Sequence, residues 1–279
     1  MENDSTSSID LSRYNAPIIA HVICIFAVIV FGGTGNGFVL YIYSKKKGNV
    51  FIRCLAFLDL ICVSTIAPQF AFVKDYYILK GHGNSLPLNA YFGWFSFFLI
   101  IQEMTIIFLA IDRALAICSP LTYKKHHKRL VKIYAGICVY CSHVIIMTLN
   151  FDSTDPRQMR LVDLHVGIHI SLMLSALLVS YSVIIYKLRK QRTKTTESKT
   201  IQALNKEKRE IKMIKIAFYI NILYLLTSFP SFISTAFGGS YLMNYTLFIS
   251  SCGGPLIYII ADKSFREEFV SIMNKVIKR

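Results

Sequence analysis

Acidic residues are scarce in this chain: 16 Asp and Glu stand against 31 Lys and Arg, and charged residues of both signs fill only 17% of its 279 positions. So thin a charge cover would leave a soluble globule of this length short of polar surface. Cysteine is absent from the polar connections. Cys24, Cys54, Cys62, Cys118, Cys138, Cys141 and Cys252 all fall in or at the ends of apolar segments, where thiols act as small packing residues, and a disulfide framework is not expected. No Cys/His spacing fits structural zinc. The chain also lacks a Walker loop, a nucleophile elbow and a metalloprotease motif, and Gly32-Gly33-Thr34-Gly35 lies inside an apolar run, where it cannot open a phosphate-binding helix. An enzyme is not expected. Residues 1–16 are polar, with Glu2, Asp4 and Asp10, and lack the basic start and short apolar core of a cleavable signal peptide.

What the chain has in quantity is apolar length. Hydrophobic residues make up 54% of it, mean hydropathy is +0.48, and several runs reach the ~20 residues that cross a bilayer. The net charge of +15 could suggest nucleic acid, but its distribution points to a membrane. Lys and Arg concentrate in four groups: 45–53, 124–132, 187–215 and 263–279. The connections between them are basic-poor, holding only Arg13, Lys74, Lys80, Arg157 and Arg160. By the positive-inside rule the amino terminus lies outside and the carboxyl terminus in the cytosol. Basic loops with few aromatics suit anionic lipid and a cytosolic protein partner better than nucleic acid. Asn3-Asp4-Ser5, placed outside, is a glycosylation acceptor at Asn3.

The stretch Ile111-Asp112-Arg113-Ala114-Leu115-Ala116-Ile117-Cys118-Ser119-Pro120-Leu121-Thr122-Tyr123 sets an acid–base pair at the end of a long apolar helix. Ions so near hydrocarbon are costly and usually functional; a surface ion pair on a soluble helix is the plainer reading, and the apolar flanks argue against it. Further upstream stand Gly35-Asn36-Gly37-Phe38-Val39 in a first span (about 17–43) and Leu55-Ala56-Phe57-Leu58-Asp59, with Pro68 beyond, in a second (about 50–77). A third span covers about 88–118, a fourth 131–149 and a fifth 165–187; Pro230 lies twenty residues after Glu210 in a sixth, and the seventh, about 242–260, ends in Gly254-Pro255-Leu256-Ile257-Tyr258. Together these motifs resemble the rhodopsin-like G-protein-coupled receptors, whose third span ends in an Asp-Arg motif and whose seventh carries Asn-Pro-x-x-Tyr.

The resemblance implies an all-α membrane protein: a seven-transmembrane bundle over 17–262, preceded by an extracellular tail (1–16) and followed by a short amphipathic cytosolic helix (263–279) in the plasma membrane. In that last segment Phe265, Phe269, Ile272, Met273 and Val276 form an apolar stripe opposite Arg266, Lys275 and Lys278. It further implies an extracellular ligand, a heterotrimeric G protein as cytosolic partner, and an activation switch built from Asp112, Arg113, Tyr181, Glu210, Pro230, Pro255 and Tyr258. Asp59 would be the acid of a sodium or protonation site with Ser250 and Ser251. Tyr91, Trp94, Phe95, Phe232 and Phe248 would line a largely apolar pocket.

Several positions depart from the family pattern. Ala114 follows Asp-Arg, Ser228 and Phe229 stand in the Cys-Trp-x-Pro motif, Gly254 replaces asparagine, and Leu88 stands where the third span usually carries a disulfide cysteine. Phe95 occupies the site of the amine receptors' aspartate, so a biogenic amine is not expected. Phe248 occupies the Schiff-base lysine position, so no retinal cofactor is expected. His165 and His169, four apart, could chelate metal, but without a third ligand they read as packed or pocket-lining. The alternative from another class is a transporter or ion pathway using Asp59, Gln102 and Glu103; internal repeats or broken helices, its usual marks, are not seen.

Overall fold

In the computed structural model, residues 12–46, 49–66, 86–141, 156–194, 211–227 and 246–277 are described. Among them the chain is helical: α1 (Ser12–Lys45), α2 (Val50–Ile61, continued by a π-helical turn Cys62–Ile66), α3 (Leu86–Cys118), α4 (Tyr123–Cys141), α5 (Pro156–Lys194), α6 (211–227), α7 (Thr246–Ala261) and α8 (Lys263–Ile277). Helix ends have local causes. Asn49 caps α2, its side-chain oxygen accepting from the Phe51 and Ile52 amides at 2.8 and 3.3 Å. Pro120 follows the last turn of α3 and forces the break before α4. Asp262 separates α7 from α8 and caps the latter, accepting from the Phe265 amide at 3.1 Å.

Helix α1 packs on α2 and α7, while α3 sits centrally against α2, α4 and α5. Buried apolar side chains from all of them, including Val39, Phe51, Leu55, Ile106, Leu109, Ile216, Ile220, Tyr258 and Phe265, make one continuous core. The outward faces are also apolar: Phe26 and Phe31 on α1, Val139 and Tyr140 on α4, Leu178 and Val179 on α5, and Leu256 and Ile260 on α7 are exposed. Such a surface suits hydrocarbon as the solvent. Ile25–Lys45 and Ser171–Lys190 are each long and apolar enough to span it.

Close helix contact needs small residues at set points. A Cβ on Gly35 would stand 2.7 Å from the Pro255 ring, so this glycine lets α1 approach the proline-bearing part of α7. Helix α5 is longer than the span read from sequence (165–187): it begins at Pro156, inside the segment 150–164 expected as an outer loop. Pro at the first helical position loses nothing, because that amide has no intrahelical partner. Helix α8 lays Phe265 and Phe269 inward, Phe269 meeting Phe38 of α1 edge-on at 4.9 Å. Phe265, Phe269 and Ile272 of the expected apolar stripe thus rest on the bundle.

Candidate functional site

Two buried polar centres stand out, one in the middle of the bundle and one at its inner end. At the first, Asp59 of α2 is only 6% exposed. The Gln102 amide nitrogen of α3 and the Ser251 hydroxyl of α7 both donate to its Oδ1, the latter at 2.8 Å. Three helices therefore meet on one carboxylate oxygen. Neighbouring Asn36 extends the network by donating to the Gly32 and Ser251 carbonyls at 2.9 and 2.6 Å. A cavity of about 10 Å³, room for one water-sized species, is lined by Asp59, Ser250, Gly254, Tyr224 and Tyr258. No donor among the described residues reaches Oδ2, which lies 3.9 Å from where a Cβ on Gly254 would stand. A carboxyl oxygen beside a water-sized space, with serine hydroxyls near it, is a donor set that fits sodium or a proton.

The second centre surrounds Asp112, which is fully buried at 0% exposure. Its carboxylate is paired with the Arg113 guanidinium. It also accepts from the Asn49 amide at 2.6 Å and from the Tyr123 hydroxyl at 2.9 Å, and contacts His127 Nδ1 at 2.6 Å. Asn49 uses both ends of its amide, since its oxygen caps α2 while its nitrogen reaches α3. The start of α2, the end of α3 and the start of α4 are thereby tied to one anion.

Beside it, the inner ends of α3, α5 and α6 close over Ile117, Ile184 and Ile214, with Ala114 and Tyr181 packed against them. The Tyr181 hydroxyl accepts from Asn221 of α6 at 2.8 Å. A further tie joins α6 to the α7–α8 junction: Lys212 donates to Asp262 at 2.6 Å, and the Tyr43 hydroxyl of α1 donates to the same carboxylate at 3.2 Å. Burial alone would raise the Asp262 pKa, but Lys212, the Phe265 amide and Tyr43 outweigh it and hold the carboxyl below its ordinary range. Between α8 and the end of α1, Glu268 pairs with Lys46 at 2.8 Å and Lys45 at 3.2 Å.

Of the residues singled out in sequence, Asp59 and Ser251 are hydrogen-bonded, and Ser250 lines the adjoining cavity. Asp112 and Arg113 are paired, Pro255 packs on Gly35, and Tyr258 is buried next to Tyr43, their rings 5.2 Å apart. Trp94 is 49% exposed and stacks on Phe98 at 5.6 Å. Glu103 is partly buried on α3 beside Gln102. Asn3, Pro68, Glu210, Pro230 and Phe232 lie outside the described residues, as do residues 195–208 and the side chains of Tyr91, Phe95, His165, His169 and Phe248.

The chain matches the 7 transmembrane receptor (rhodopsin family) over residues 35–258, which takes in both centres. It belongs to that family. Among relatives, human olfactory receptor 8K1 is 23% identical across 90% of this chain and 86% of its own length. Mouse olfactory receptor 5P62 is 29% identical over 42% of this chain and 36% of its own length. The chain is accordingly a multi-pass membrane receptor of the G-protein-coupled class, not an enzyme, and distantly related to olfactory receptors. The helix that follows α7 completes the family architecture.

Sequence reasoning passed over Asn49, His127, Lys212, Tyr43 and Asp262. Asn49 carried a usable signal, a polar residue immediately before an apolar helix. The others look like ordinary loop or helix-surface polar residues, and only the packing of separate helices brings His127 onto Asp112, and Lys212 and Tyr43 onto Asp262.

Proposed function

We propose that this receptor binds a small, neutral or lipophilic ligand from outside the cell and passes the signal to a heterotrimeric G protein at its inner face. The named relatives are olfactory receptors, which favours an odorant-type ligand. Phe95 in place of an acid argues against an amine. The single observation that carries the reading is the Asp112–Arg113 pair, buried at the inner end where α2, α3 and α4 converge.

In this reading the ligand prefers the state in which α3 and α6 separate at their inner ends, with each ~1.4 kcal/mol of preference shifting the populations tenfold. Arg113 then leaves Asp112 and faces the G protein. Glu210, the residue before the described part of α6, holds Arg113 in the resting state; Pro230 and Pro255 supply flexible points in the sixth and seventh spans, and Tyr181 and Tyr258 repack between them. Asp59 with Ser250 and Ser251 holds sodium or a proton that favours the resting state, the ion supplying charge balance for a carboxylate whose partners among the described residues, Gln102 and Ser251, are both neutral. The amino terminus with Asn3 is extracellular, the carboxyl terminus cytosolic, and the bundle sits in the plasma membrane.

The test is nucleotide exchange on a panel of purified G proteins, with the receptor in lipid discs and a panel of volatile lipophilic ligands. Glu210→Ala should raise ligand-independent exchange and Arg113→Ala should abolish stimulated exchange. Solute flux through receptor vesicles lacking any G protein, without exchange on any, would favour the transporter reading.

A further inference from the structure

Asp112 collects more donors than an arginine–carboxylate pair needs, and one of them is a histidine. Because a carboxylate only accepts, Nδ1 of neutral His127 carries the hydrogen in the 2.6 Å contact, which leaves Nε2 as the ring's acceptor nitrogen. The ring is fixed by its neighbours: Phe51 of α2 meets it edge-on at 6.0 Å, and Tyr123 lies 5.5 Å away one helical turn earlier on α4. The charged and titratable groups at this ring are Asp112 and Arg113 from α3 and Tyr123 from its own helix, with Lys124 and Lys128 exposed beside it on α4. From the α2 side, among the described residues, come the Phe51 ring against His127 and the Asn49 amide on Asp112, neither of them charged. The His127 side chain is 27% exposed, so protons reach it without unfolding the cluster.

We propose that His127 is a positioning residue for Arg113: it shares the Asp112 carboxylate with the guanidinium, and protonation at Nε2 loosens the hold on Arg113. With His127 neutral, Arg113 is the cation bound to this carboxylate. With His127 protonated, two cations divide one anion and repel each other, so Arg113 leaves more readily. Histidine is the side chain whose ordinary titration range spans neutral pH, so coupling to a cytosolic partner becomes acid-sensitive. This proposal rests on the G-protein reading for its functional half.

The experiment uses the full-length receptor in lipid discs, labelled at histidine for NMR. The ring signal that disappears in His127→Gln is followed with pH. Losing the carboxylate in Asp112→Asn should weaken proton binding at His127 about threefold or more; should that variant not fold, Arg113→Gln removes the repelling cation and should strengthen it by a similar factor. In the same discs, basal nucleotide exchange should rise about threefold from pH ~8 to pH ~6 relative to His127→Gln, whose amide keeps a donor for Asp112 but does not titrate. A His127 midpoint unmoved by either partner's replacement would overturn the sharing. Parallel pH profiles for the parent receptor and His127→Gln would overturn the positioning role. Exchange absent at every pH, with the midpoint shift intact, would instead refute the G-protein reading while the shared carboxylate stands.

Discussion

The Lys212–Asp262 pair makes a prediction that depends little on any single family motif. Lys212 lies in the first turn of the described part of α6, and Asp262 is the hinge residue between α7 and α8; the two meet at 2.6 Å with side-chain exposures of 32% and 13%. Any outward swing of α6 must part them. A fully exposed pair would contribute only about 0–1 kcal/mol, but the acid is mostly buried and the bond is charge-assisted, so about 1–2 kcal/mol is the reasonable range. That corresponds to a factor of about 5–30 in the ratio of open to closed states. If about 1% of receptors are open at rest, breaking the pair raises the open share to roughly 5–25%. Lys212→Met keeps the aliphatic stem, and Asp262→Asn keeps a cap for α8 and an acceptor for Tyr43. Each should raise basal nucleotide exchange at least about fivefold at matched surface expression. The double variant should exceed neither single by much, because both remove one interaction. The pH dependence has a definite sign. A carboxyl held below its ordinary pKa contributes stability that is complete above the unfolded value of ~3.9 and is lost as pH falls through the lower folded value. The tie should therefore hold throughout the neutral and mildly acid range. Unchanged basal exchange in both single variants, or additive effects in the double, would refute it.

Two further outcomes follow from the mid-bundle centre. Asp59→Asn should abolish any sodium dependence of ligand binding, checked by competition binding across sodium concentrations; a parent receptor indifferent to both sodium and pH would remove the site. The Tyr258 hydroxyl is buried without a hydrogen-bond partner among the described residues, so Tyr258→Phe should raise the thermal stability of this state by about 1–3 kcal/mol and lower basal exchange. A fall in melting temperature would contradict this.

The fold was legible because its signals are local or compositional. Apolar runs of bilayer length, the four basic groups and the Asp-Arg motif each survive in a single sequence, and they lead to a seven-helix receptor without any contact information. Asp59 was legible for a similar reason: a carboxylate in an apolar span needs a partner wherever it lies. Its partners were less so. Gln102 and Ser251 are visible as polar residues in apolar spans, but that the amide nitrogen and the Ser251 hydroxyl converge on one oxygen depends on the relative rotation of α3 and α7, which no local signal sets. The start of α5 at Pro156 was misjudged because charge and polarity over 150–164 suggested a loop, while Arg157, Gln158, Met159 and Arg160 are all acceptable helix residues. At Lys212 and Asp262 the sequence offers two ordinary charges fifty residues apart; their meaning comes wholly from the bundle.

Helix α7 is the element that links the two ends. Within its length and the residue after it, Ser251 bonds Asp59, Pro255 abuts Gly35, Tyr258 lies against Tyr43, and Asp262 bonds Lys212. Ser251 and Asp262 are about 16 Å apart along the axis at 1.5 Å per residue, so a rigid displacement that draws one from its partner disturbs the other. Spatial continuity alone does not establish such coupling; a shared two-state element does. If α7 is that element, a cation at Asp59 and the Lys212–Asp262 tie stabilise the same state, and linkage requires each to strengthen the other. Lys212→Met should then weaken sodium's effect on agonist binding, although Lys212 belongs to α6 and meets α7 only just past the end remote from Asp59. Agonist competition curves with and without sodium, for the parent and Lys212→Met, measure this directly. An undiminished sodium effect in a variant with raised basal exchange would mean that the two centres switch independently and that α7 does not move as one body.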